Sequence, residues 1–135
     1  MKIVLDTNVL VAGLLTPHGD SARLLDLVLR GELIPCFDDR VIGEYIEVLA
    51  RSEFGFSPPN VESLLVHIAT TGHKVTAPAL PLKIPDPDDL MFLEVALASQ
   101  AEALVSGNMR HFPAAHRHGI HVVPPAEFLA WWRER

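Results

Sequence analysis

Residues 90–106, LMFLEVALASQAEALVS, decide the fold. From Leu90 to Ser99 the run is apolar nearly all round a helical wheel, with Glu94 the exception. Such a helix has no solvent face of its own and is expected between two layers. Ala103–Ser106 (ALVS) then reads as a short buried strand that ends on a polar residue, with Gly107 as the turn behind it. Working outward, the same alternation repeats. Lys2–Asp6 (KIVLD) is a β-branched apolar run closed by an acid, a second buried strand. Asp20 or Ser21 caps a helix that turns Leu24, Leu25, Val28 and Leu29 inward, and Gly31 closes it. Leu33–Phe37 is another strand, in which Pro35 points to an edge or irregular position. Asp38 or Asp39 caps a helix to about Arg51, with Val41, Ile42, Tyr45 and Leu49 on one stripe. Pro58 and Pro59 open a third helix carrying Val61, Leu64, Leu65 and Ile68, which stops near Gly72. Lys74–Ala77 is expected as a strand before the stiff Pro78–Pro87 segment, and His121–Val123 as the last strand. Pro125 then starts a final helix with Phe128, Leu129 and Trp132. Strands alternating with helices predict an α/β fold with a mainly parallel sheet, residues 1–135 forming one domain.

Composition narrows the function classes. The chain has 135 residues, 49% hydrophobic and 21% charged, which suits one packed core and excludes a disordered or low-complexity chain. Cys36 is the lone cysteine, so an intramolecular disulfide and a cysteine zinc site are excluded. The apolar runs are too short to span a bilayer, and Asp6 follows Lys2 too closely for a signal peptide, so a soluble cytoplasmic domain is expected. A net charge of −6, from 17 acids against 11 Lys and Arg, excludes a basic coat that would bind nucleic acid non-specifically. It leaves room for a site of clustered acids whose positive charge comes from a metal ion.

In an open parallel sheet, functional groups gather beyond the carboxyl ends of the strands. Asp6-Thr7-Asn8 and Ser106-Gly107-Asn108 stand at two such ends. Acids there, meeting acids at nearby helix starts, form a cluster suited to Mg²⁺ or Mn²⁺; ordinary turn chemistry also accounts for Asp6-Thr7-Asn8. Glu44 lies on the border of the Val41–Leu49 stripe, as a metal ligand or a half-buried ion-pair partner, whereas Glu47 points to solvent. Asp86, Asp88 and Asp89 crowd a helix start, where one acid suffices for capping and three repel unless a cation intervenes. Asp89, fixed by the buried helix, is the better ligand, and for Asp86 in the proline loop shaping the turn is the alternative to a ligand role. His111, His116, His118 and His121 match no compact zinc pattern. With Arg110 and Arg117 they read instead as a positive rim for phosphate contacts. Trp131 and Trp132 suit core or dimer contacts. No GxGxxG, GxxxxGK[ST] or GxSxG motif is present, and Cys36 lies in an apolar strand.

Taken in order, MKIVLDTNVLVAGLL (1–15), IGEYIEVLAR (42–51), DPDDLMFLEVAL (86–97) and ALVSGNMRHF (103–112) resemble the PIN-domain family, and most closely its toxin branch from type II toxin–antitoxin pairs. The resemblance implies a three-layer α/β/α sandwich and a metal-dependent endoribonuclease. It implies Asp6, Glu44 and Asp89 as catalytic residues holding one or two Mg²⁺ or Mn²⁺ ions, with Asp86 a further ligand and Thr7, Asn8, Ser106 and Asn108 supporting them. Arg110, His111 and Arg117 are the RNA contacts expected from the rim. Many relatives carry an Asp where Asn108 stands here; the neutral Asn108-Met109-Arg110-His111-Phe112 also resembles the toxin branch. An RNA substrate, a small antitoxin protein lying across the active-site groove and a homodimer are the implied partners, with no membrane. A rival expectation is a PIN-like regulatory or binding protein in which Asn108 has cost activity. A phosphatase with an Asp nucleophile wants a second Asp where this chain has Asn8.

Overall fold

The structure, a computed structural model, describes residues 1–81 and 83–135. Five strands form one all-parallel sheet in the order β3-β2-β1-β4-β5: β1 Lys2–Leu5, β2 Ile34–Phe37, β3 His73–Lys74, β4 Ala103–Val105 and β5 Val122–Val123. Helices flank it as an α/β/α sandwich: α1 Thr7–Leu15, α2 Asp20–Leu29, α3 Asp39–Leu49, α4 Pro58–Thr71, α5 Leu90–Ser99 and α6 Pro125–Glu134. Parallel strands need crossovers, and the order runs from β1 through β2 to β3 in one direction, then from β4 to β5 in the other. The reversal lies between β1 and β4, whose carboxyl ends are the crevice where open α/β sheets bind ligands.

Helix α5 packs across β1, β2 and β4 and buries Phe92, Leu93, Val95 and Ala96, as its continuous apolar surface demands. Asp38 caps α3 by accepting from Val41 N at 3.0 Å, and α3 buries Val41, Tyr45 and Leu49. Gly72 ends α4 where a Cβ would lie 2.4 Å from Ile68 O and 2.6 Å from Pro35 O, so the helix turns back on β2 through a gap that admits only glycine.

Three local expectations change. The residues after Asp6 do not form a turn; α1 starts at once at Thr7. Its apolar run is hydrophobic on every face, so it carries no helical period to read, and Gly13 lets α2 approach closely, with Leu25 Cδ1 2.5 Å from where a Cβ would be. Pro35 lies on an inner strand rather than an edge. Ile34 N donates toward β1, at Met1 O, so the missing N–H of Pro35 faces the β3 side, where pairing begins only at Cys36. The strand expected at Lys74–Ala77 is His73–Lys74, although Val75 N still donates to Phe37 O at 2.9 Å. No helix among the described residues is long and apolar enough to cross a membrane.

Candidate metal centre

Strand β1 delivers Asp6 and strand β4 delivers Ser106 to the point where the strand order reverses. Asp6 is 4% exposed and Ser106 fully buried, and Asp6 N bonds Val105 O at 2.9 Å, which extends the ladder one residue past the strand. Asp6 occupies the N-cap position of α1, yet its side chain makes no capping hydrogen bond. Its Oδ2 accepts instead from Ser106 Oγ at 2.7 Å and from Asn8 Nδ2 at 3.3 Å. Gly107 N donates to Asn8 Oδ1 at 2.9 Å, so the two strand ends are tied together by side chains.

Helix α5 brings the second acid. A 3₁₀ turn, Pro87–Asp89, runs into α5 and places Asp89 at its start, 9% exposed. The third acid comes from α3, where Tyr45 OH donates to Leu5 O and so seats the helix on the end of β1. Glu44, one residue before, accepts from Thr7 Oγ1. Asp6, Asp89 and His111 each offer a ligand atom within 4.8 Å of the others. Glu44 stands beside that group rather than inside it, close enough for its charge to act on Asp89.

The sequence-derived positions therefore divide. Asp6 and Asp89 converge, Glu44 flanks them, and Thr7, Asn8 and Ser106 hold the acids in place. Asp86 is exposed and caps the 3₁₀ turn, its Oδ1 accepting from Asp88 N at 3.0 Å; it lies outside the converging group. Arg110 is exposed, while Arg117 folds back so that Nε donates to Phe112 O at 2.8 Å, which shapes its own loop. His111, half-buried, turns toward the acids. Its Nδ1 lies 2.8 Å from Asp89 Oδ2, and its Nε2 lies 2.9 Å from Asn108 Nδ2. Residues 109–111 form a 3₁₀ turn behind Asn108 and bring His111 back onto it, a contact that the three-residue spacing alone does not reveal.

Electrostatics mark the group as short of positive charge. Burial pushes the Asp6 carboxyl above its ordinary range, against the opposing pull of the Ser106 hydrogen bond and His111. Asp89 is pushed up to about 6, first by burial and then by Asp6, with His111 opposing and Asp86 and Glu44 adding to the rise. Glu44 is raised by burial and by Asp6 and Asp88, against the Thr7 hydroxyl. Among the described residues no Lys or Arg pairs with Asp6, Glu44 or Asp89. Asp89 Oδ2 is buried yet accepts no hydrogen bond, because the nearby His111 ring lies close without aligning an N–H on it. The carboxylates of Asp6 and Asp89, the latter with an orphaned buried oxygen, a ring nitrogen of His111 and Glu44 beside them fit a divalent cation.

The chain is similar in structure to a solved crystal structure of VapBC2 from Rickettsia felis bound to a DNA fragment from their promoter. Identity is 18% and the TM-score 0.58, over 92% of this chain and 98% of that one, a likeness of fold. No curated protein matches the sequence. The family described as PIN domain matches residues 2–110, which takes in Asp6, Glu44, Asp89 and Asn108. The chain belongs to the PIN-domain family.

Proposed function

We propose that the protein is a metal-dependent endoribonuclease that hydrolyses RNA phosphodiester bonds, and that it is the toxin of a toxin–antitoxin pair. The observation that carries this reading is the convergence of Asp6 and Asp89, with Glu44 beside them, at the sheet's point of reversal, where among the described residues no Lys or Arg pairs with them and only His111 stands beside Asp89. Membership of the PIN-domain family and the likeness of fold to VapBC2 support it. A small antitoxin protein and a second copy of the chain are the partners proposed on the same grounds, in the cytoplasm.

Asp6, Asp89 and Glu44 are the groups that would hold Mg²⁺ or Mn²⁺. Such an ion supplies positive charge for the scissile phosphate and acidifies a water for in-line attack. The chain's own residues do the positioning. Ser106 and Asn8 both donate to Oδ2 of Asp6 and fix that carboxylate, and Thr7 fixes Glu44. The start of α5 anchors Asp89. A cleft of about 420 Å³ opens beside Glu44, lined also by Arg40, Leu80 and Asp88, and offers space for the strand next to the cut. No serine or cysteine nucleophile is required, which suits the buried Cys36.

The test is incubation of the purified chain with a mixed RNA pool in Mg²⁺, Mn²⁺ or EDTA, with mapping of the cut ends. Cleavage confined to the metal-containing samples, leaving 5′-phosphate and 3′-hydroxyl ends, is the expected result. Metal binding without cleavage would favour the regulatory protein, in which the neutral Asn108 has cost activity.

A further inference from the structure

We infer that His111 sets the class of cation this site selects: its Nδ1 is a nitrogen ligand beside Asp6 and Asp89, so the chain takes a first-row transition ion such as Mn²⁺ in preference to Mg²⁺. The inference rests on the nuclease reading above and narrows it. Mg²⁺ holds to oxygen ligands in near-octahedral array, so exchanging one oxygen donor for an imidazole nitrogen weakens it relative to any first-row transition ion, Mn²⁺ the least favoured of these.

Two geometric facts separate a ligand from an ordinary ion-pair partner. A histidine placed to neutralise Asp89 would aim an N–H at it. Here Nδ1 stands 2.8 Å from Asp89 Oδ2 without that alignment, and the buried oxygen is left with no donor. A ligand atom of His111, one of Asp89 and one of Asp6 all lie within 4.8 Å of one another, close enough to share one ion. The other ring nitrogen is held as a ligand's must be. Asn108 reaches Nε2 at 2.9 Å, and the two ends of an amide exchange by a half-turn, so its oxygen can accept Nε2–H and leave the lone pair on Nδ1.

The support runs in a closed circuit. Asn108 N donates to Ser106 Oγ at 3.0 Å, Ser106 Oγ donates to Asp6, and the 3₁₀ turn fixes His111 over Asn108. Asn108 therefore acts on the cation through His111 rather than in place of an acid. The neutral residue at position 108 and the ring at 111 form one unit that offers a nitrogen donor to the acid cluster.

The test uses the untagged chain, stripped with EDTA, and reads binding rather than cleavage. Mn²⁺ is titrated by electron paramagnetic resonance and displaced with Mg²⁺, and pulsed resonance reads any coupled nitrogen. The wild type is expected to bind Mn²⁺ at least about tenfold more tightly than Mg²⁺ and to show imidazole nitrogen coupling. In His111→Ala the coupling disappears and Mn²⁺ affinity falls about tenfold, while Mg²⁺ affinity holds within about twofold. Should His111→Ala prove unstable, nitrogen coupling in the wild type decides alone. Bound Mn²⁺ without that coupling, or equal loss of both ions in the variant, overturns this inference and leaves the nuclease reading standing. Failure of both ions to bind, with no metal-dependent cleavage, overturns both.

Discussion

Two sets of buried and half-buried acids lie where α3 and α5 meet the sheet, and the two are treated in opposite ways. Toward the middle of α5, Glu94 is buried and fully partnered. Its Oε1 accepts from Arg40 Nη1 on α3 at 2.7 Å, and its other oxygen accepts from Leu80 N at 2.5 Å. Arg40 also holds Asp38 at 2.7 Å, so one guanidinium neutralises two acids and joins α3, α5 and the proline-rich segment. At the start of α5, Asp89 meets Asp6 and Glu44 with only His111 to offset them. The same fold that finds an arginine for Glu94 finds none for Asp89. Buried carboxylates are costly unless paired, so a set kept unpaired marks the place where charge is to come from outside the chain.

The largest effect expected is on activity, and it falls on the unpaired set. Asp6→Asn keeps the shape and the Ser106 contact while removing the central charge. Metal-dependent RNA cleavage should drop by about 10³-fold or more, a loss of about 4 kcal/mol in transition-state stabilisation. Far-UV circular dichroism should be unchanged. Equal cleavage by variant and wild type would remove Asp6 from the site and with it the contrast between the two acid sets.

The paired set should fail the other way, through stability. Arg40→Ala leaves Glu94 buried without its counter-charge and loosens the cap of α3. Since the arginine is itself partly exposed, the expected cost is about 2–3 kcal/mol, below that of a fully buried pair. Chemical denaturation measures it. A change under about 0.5 kcal/mol would mean that Glu94 finds water or another donor, and the comparison would lose its stronger half.

How much of this was legible in the sequence follows from the range of the interactions. Helix α5 was readable because Leu90–Ser99 is apolar on every side and flanked by acids and a polar stop, all local signals. Asp6 was readable because an acid directly ended a strand. Helix α1 was not, since an apolar run without period looks the same as a loop packed on a core or a second strand. The pairing of Arg40 with Glu94 spans 54 residues and depends on two helices meeting, so no local pattern encodes it. Position 111 shows the limit most sharply. Its chemistry was visible and its direction was not, because a single turn of 3₁₀ helix swings the ring from a solvent rim into the acid cluster.

The smallest expected effect concerns the metal-free chain and has the opposite sign from most substitutions. Asp89 titrates at about 6 in the folded chain against an ordinary value of 3.8. Its folded form therefore binds the proton more tightly than its unfolded form does. The stability this lends is fully present below the ordinary value and is lost as pH rises through about 6. Asp6 and Glu44, also raised by burial, act in the same direction. In EDTA, then, thermal stability attributable to the site should fall between about pH 4 and pH 7, and Asp89→Asn should flatten that fall. After discounting for solvent screening, the variant should gain about 1 kcal/mol at pH 7, or roughly 3–6 °C in Tm for a domain of this size. A saturating divalent cation should erase the gain, because the wild-type carboxylates then meet positive charge and the amide offers it less. If Asp89→Asn instead destabilises the metal-free chain at pH 7, some donor within the protein already satisfies this carboxylate, and the distinction between the two sets of acids fails at its least populated point.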